Sequence, residues 1–149
     1  MSESSKEGSL PVPDWHHLPD NAWNRHAWIV GEPDIGENCW IGAFTIIDGS
    51  GGLRIGRGCD IAAGAQIYTH STVSRAISEG RRPVERASSE IGEYVHVGAG
   101  AVLLMGARIG SHSLVAAGAV VREHTQAPAY SALVGVPARI VPDGARKFT

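Results

Sequence analysis

The sequence predicts an all-β fold, a parallel β-helix wound from six-residue units. Three observations carry this expectation. An aliphatic residue opens every group of six across one stretch, at Ile91, Val97, Leu103, Ile109, Val115 and Val121. A small or β-branched residue stands four places after the opening ones, at Val95, Ala101, Ala107, Ser113 and Ala119. The same period runs through the first half of the chain, at Ile29, Ile35, Ile41 and Ile47 and then at Ile55, Ile61 and Ile67. A helix needs apolar residues three and four apart and a half-buried strand needs every second one, so a strict six fits neither. Short strands separated by tight turns do fit it, and most groups place Gly or Ala directly after the aliphatic residue.

The composition agrees with a thin solenoid interior: 19 Gly stand against 2 Phe in 149 residues, a length that suits a single domain. A formal net charge of -2 makes no general case for a nucleic acid or an anionic membrane as partner. No apolar run approaches the ~18 residues of a membrane span, and the opening MSESSKEGS lacks the apolar segment of a signal peptide, so a cytoplasmic protein is expected.

In chain order, residues 1–28 are read as an N-terminal arm and cap, Ser- and Glu-rich at first, with Trp15 and Trp23 covering the open end of the coil. The repeat domain occupies 29–141. Its period slips by two at GSGGLR, which predicts a wider corner there and puts Cys39 and Cys59 in one inward column of successive coils as reduced, buried thiols. Between Val73 and Glu90 the pattern stops. The segment VSRAISEGRRPVERASSE is charged, and threading it as repeats would put Glu79 and Glu85 in a buried row, so 73–90 is expected to leave the coil as an external loop. Residues 142–149 form a short C-terminal tail.

The repeats, together with Gly135-Val136-Pro137-Ala138-Arg139 after the last coil, resemble the hexapeptide-repeat acyltransferases, the group of serine, maltose, galactoside and nucleotide-sugar acetyltransferases. The resemblance covers about residues 29–141 and implies a left-handed parallel β-helix. The hand rests on the resemblance alone, since parallel crossovers are otherwise nearly always right-handed. It also implies three groups to a coil, acetyl-CoA as co-substrate, no metal, and a sugar or nucleotide-linked sugar as acceptor. A homotrimer with active sites between chains is implied too, and the apolar outward residues Trp40, Ile46, Val102, Leu114 and Val120 agree with it.

By the same resemblance, His70, at the lip where coil gives way to loop, is the general base; a neutral imidazole suits that role at neutral pH. His96 stands where many relatives carry Trp and is a candidate second polar group for the acceptor. Tyr68, Arg75 and Arg82 are acceptor-side candidates, the arginines for an anionic group such as a nucleotide diphosphate. Gly98, Gly100, Ala117 and Gly118 are the small corner residues against which the pantetheine arm would lie, and Arg122 and Arg139 are candidates for the phosphates of CoA. Two other functions share such a coil. One is a non-catalytic assembly protein. The other is a γ-type carbonic anhydrase, whose paired histidine ligands have no counterpart in the spacing of His16, His17, His26, His70, His96, His112 and His124.

Overall fold

The computed structural model describes residues 18–149; most of the expected N-terminal arm, with Trp15, His16 and His17, lies outside the described residues. The chain winds as a triangular prism of parallel strands, most only two or three residues long. The first face stacks Trp28–Val30, Ile46–Asp48, Gln66–Ile67, Val102–Leu103 and Val120–Val121. A second face stacks Asp34–Ile35, Leu53–Ile55, Ser89–Ile91, Arg108–Ile109 and Gln126–Ala127. The third stacks Trp40–Ile41, Asp60–Ile61, His96–Val97, Leu114–Val115 and Ala132–Val134, and ends with Arg139–Val141, which turns back antiparallel at the GVPAR segment.

The opening aliphatics form the core. Ile47, Ile61, Ile67, Val97, Val115 and Val121 have no exposed surface, and Val95, Ala101, Ala107, Ser113 and Ala119 fill the corners beside them. Residues just before the aliphatics point outward and differ by face. On the second face they are Asp34, Arg54, Glu90, Arg108 and Gln126, all exposed, with Arg108 paired to Glu90 at 3.0 Å. On the first they are Trp28, Ile46, Gln66, Val102 and Val120, in which Gln66 alone is polar.

The two-residue slip is present in the strand register. Ile35 pairs with Ile55, a step of twenty where regular coils advance by eighteen, as from Val97 to Val115. Cys39 and Cys59 therefore lie on successive coils, and both are free thiols. Their sulfurs donate to the carbonyls of Gly56 and Gly92, each at 3.1 Å, and burial pushes the Cys59 thiol up to about 11. At the N-terminal end the buried plug is Ala27; Trp23 remains 40% exposed, so its indole covers less of the coil end than the sequence suggests. Asn21 and Asn24 hold this lead-in through their side chains, Asn24 by donating to the carbonyl of Ile41 at 3.1 Å.

The external segment leaves earlier and returns earlier than the repeat pattern indicates. His70–Ser71 already pairs antiparallel with Glu85–Arg86 outside the prism, whereas Ser89 and Glu90 are back on the second face opposite Leu53 and Arg54. Between the two arms lies one short helix, Val73–Ile77, whose Val73 and Ile77 side chains are exposed.

Candidate functional site

The corner between the first and second faces carries the most polar cluster of the described interior. Strand Ile46–Asp48 ends on a buried carboxylate, and the widened turn that follows brings Gly51 so close to the next coil that an added Cβ would stand 2.2 Å from the Thr69 carbonyl oxygen. Thr69 is buried in turn. Its backbone N–H donates to Asp48 Oδ2 at 2.9 Å, its hydroxyl donates to the Asp48 carbonyl at 2.9 Å, and that hydroxyl accepts from Gly51 N–H at 2.8 Å. Asp48 Oδ1 accepts from Ser50 N–H at 2.9 Å. Burial alone would push this carboxyl up, but the Thr69 N–H, the two Ser50 donors and His70 together hold it well below the usual carboxylate range.

His70 Nδ1 lies 2.5 Å from Asp48 Oδ2. An ionised carboxylate only accepts, so Nδ1 carries the hydrogen, and in the neutral imidazole the lone pair is then on Nε2. The His70 side chain is 35% exposed while that of Asp48 is 1% exposed, so the carboxylate is locked inside and the imidazole is presented at the lip. Tyr68 sits beside it, its ring at 6.1 Å and edge-on to the imidazole, its hydroxyl donating to Gln66 Oε1 at 2.6 Å. Burial and the Asp48 charge push the Tyr68 phenol up. The root of the loop is pinned here as well: Ala87 N–H donates to the Thr69 carbonyl at 3.0 Å, and Ser89 Oγ to that of Tyr68 at 3.1 Å. Further out, Arg75 on the helix and Arg82 beyond it are exposed, and Arg82 borders a groove of about 510 Å³ with Val73 and Ile77.

Asp48 has no place among the residues singled out from the sequence. Its signal was an acid directly after Ile47, in the slot where other groups hold Gly36, Gly42, Gly56 or Ala62, and directly before the slip.

A second feature occupies the corner between the third and first faces. Gly64, Gly100 and Gly118 stack there at φ of +72°, +67° and +69°, and an added Cβ at Gly100 or Gly118 would meet no atom within 4 Å. The result is an open groove along the prism edge. Gly98 and Ala117 line the same corner, with the Ala117 nitrogen 2.4 Å from where a Cβ on Gly98 would stand, so the coils stack closely only because Gly98 has none. The N–H groups of Gly100 and Gly118 are committed to the carbonyls of Ala63 and Ala99 at 3.1 and 2.9 Å; those of Ala99 and Ala117 donate to no group among the described residues. Arg139 follows Ala138, whose N–H donates to the Val120 carbonyl at 2.8 Å, at the C-terminal end of this groove. Arg122, next after Val121, belongs instead to the column of Asp48, Tyr68 and Leu104 on the first corner.

Within one chain, then, His70 and the glycine groove lie on different edges of the prism, at the two sides of the first face. His96 is exposed on the third face between Asp60 and Leu114, and borders a cavity of about 450 Å³ with Tyr94, His112 and Phe148. Among the described residues no three His, Cys, Asp or Glu side chains come together as a metal-ligand set.

Comparison with known proteins agrees with this architecture. Residues 88–123 match the bacterial transferase hexapeptide model and residues 34–69 the hexapeptide repeat of succinyl-transferase. The carnitine operon protein CaiE of Salmonella agona (strain SL483) is 28% identical over 145 residues, covering 95% of this chain and 71% of its own. AntD, an N-acyltransferase from Bacillus cereus solved with dTDP and 3-hydroxybutyryl-CoA, superposes with a TM-score of 0.68 at 20% identity, covering 80% of this chain and 66% of its own. A hexapeptide-repeat containing acetyltransferase from Vibrio cholerae O1 biovar eltor, solved with acetyl-CoA, has a TM-score of 0.64 at 27% identity over 73% of this chain and 58% of its own. The chain thus spans about two thirds or less of the length of these solved structures. It carries hexapeptide repeats over residues 34–69 and 88–123, and its coil is similar to that of these solved acyltransferase structures.

Proposed function

We propose that the protein is an acyl-CoA-dependent acyltransferase, with acetyl-CoA as donor and a sugar or nucleotide-linked sugar as acceptor, working in the cytoplasm as a homotrimer. The observation that carries this reading is the His70–Asp48 pair, a base with its tautomer set by a buried carboxylate and its free nitrogen at an open lip. Nε2 takes the proton of an acceptor hydroxyl or amine as that atom attacks the thioester carbonyl; the tetrahedral intermediate then collapses with loss of the CoA thiolate, which leaves as the thiol once protonated. Asp48 stays ionised and steadies the imidazolium that forms in between.

The donor suits the glycine groove. A pantetheine arm needs a channel without side chains, and the Ala99 and Ala117 N–H groups are the donors there for its carbonyls or for the developing oxyanion. Arg139 at the end of the groove suits the CoA phosphates. The trimer is what joins groove and base. With the apolar first face turned toward a threefold axis, the His70 corner of one copy meets the glycine corner of the next, and the charged second face stays in water. Arg122, on the His70 corner, then reaches the same cleft from the other side. Arg75, Arg82 and Tyr68 border it on the acceptor side, the acceptor class being supported by AntD, a variant of which was solved with dTDP-4-amino-4,6-dideoxyglucose and coenzyme A.

The test is release of CoA thiol from acetyl-CoA in the presence of a panel of free and nucleotide-linked sugars. Acceptor-dependent release is the expected result. No release with any sugar, from protein that is folded and trimeric, would overturn the acceptor class.

A further inference from the structure

The outward column of the third face begins Trp40, Asp60, His96, with Trp40 directly opposite Asp60 and Asp60 directly opposite His96 in the strand register. Trp40 is 66% exposed, and Asp60 and His96 are also exposed. Asp60 makes no ion pair or side-chain hydrogen bond among the described residues, although the charged second face pairs Arg108 with Glu90 at 3.0 Å. We infer that this column is the acceptor platform of the transferase, and that it takes a pyranose ring: the indole of Trp40 stacks on one face of the sugar while Asp60 and His96 bond its polar substituents.

Chemistry distinguishes a sugar from a protein surface here. Covering Trp40 with an apolar partner would bury the Asp60 carboxylate unpaired beside it, which is costly. A pyranose instead offers a face of weakly positive C–H groups to the negative face of the indole, and its rim of hydroxyl or amino groups to the carboxylate and the imidazole. Two strand spacings separate Trp40 from His96, roughly 10 Å, about the span of one to two sugar rings. Height agrees as well. Ile61 and Ile67 open consecutive units of one coil, so Asp60 and His70 lie at the same level of the prism, with Trp40 one coil below and His96 one coil above. In a threefold ring, Asp60 of one copy is level with His70 of its neighbour across the cleft. The inference rests on the transferase reading for that cleft, and on the exposed column alone for sugar binding.

Saturation-transfer NMR on the full chain with D-glucosamine, D-galactose and dTDP-4-amino-4,6-dideoxyglucose tests it, with CoA affinity measured separately by calorimetry. At least one sugar should receive saturation at its ring C–H protons. Trp40→Ala should weaken that sugar about tenfold and Trp40→Phe by no more than about threefold, with CoA affinity unchanged in both. Asp60→Ala, which leaves the indole in place, should also weaken it. No transfer to any of the three sugars, or equal affinity in wild type and Trp40→Ala, overturns the platform. Sugar binding that depends on Trp40 in a protein that does not bind CoA would keep the platform and remove the transferase reading.

Discussion

At the scale of single residues the site is a carboxylate that stays charged and a histidine held by it. Asp48 has a folded pKa below its unfolded value, so the stability it contributes is complete above the unfolded value near ~3.9 and is lost as pH falls toward the folded one. Asp48→Asn should therefore be less stable than wild type near neutral pH, with the gap narrowing at pH 3; urea unfolding at the two pH values checks this, and an equal gap at both would contradict it. In turnover the same variant should fall, because an amide can present its N–H to Nδ1 and so favour the wrong tautomer. His70 was legible in the sequence through its place at the edge of the repeat. Asp48 was not, because twenty-two residues separate the pair and only the slipped corner brings them together.

Among elements, the corners decide what the prism can do. Most side chains are tolerated at an outward strand position, whereas a corner either admits the next coil or presents a groove. Gly98→Ala would press a methyl into the Ala117 backbone and should cost about 1–3 kcal/mol. Gly100→Ala meets open space and should cost only about 1 kcal/mol, the penalty of its positive φ, yet it narrows the groove and should raise the KM for acetyl-CoA. Thermal melts and steady-state kinetics on the two variants separate stacking from binding; similar melts and an unchanged KM would remove the groove from the donor site. The six-residue period made the strands and the buried rows readable. It could not show that Gly100 faces open space while Gly98 faces backbone, because both are simply Gly in the pattern and the difference lies in the coil above. The short helix Val73–Ile77 and the return strand Arg139–Val141 lie outside the period and had no signal in it.

For the whole molecule, the division of labour among three faces is the organising fact. The apolar outward residues recognised in the sequence split across two faces, with Ile46, Val102 and Val120 on the first and Trp40 and Leu114 on the third, a separation that only the strand register reveals. Light scattering should give three times 15.7 kDa, and Val102→Glu, which sets a carboxylate in the centre of the first face, should shift the protein toward monomer and abolish turnover together. A trimer that survives Val102→Glu would place the interface elsewhere. The central claim, that His70 is the base of an acyl transfer whose donor lies on a separate groove, is tested most directly by measuring kcat and CoA affinity side by side in His70→Ala. Turnover should drop by about 10²–10⁴, the usual contribution of a general base, with CoA bound as in wild type. Wild-type turnover in His70→Ala would contradict the account.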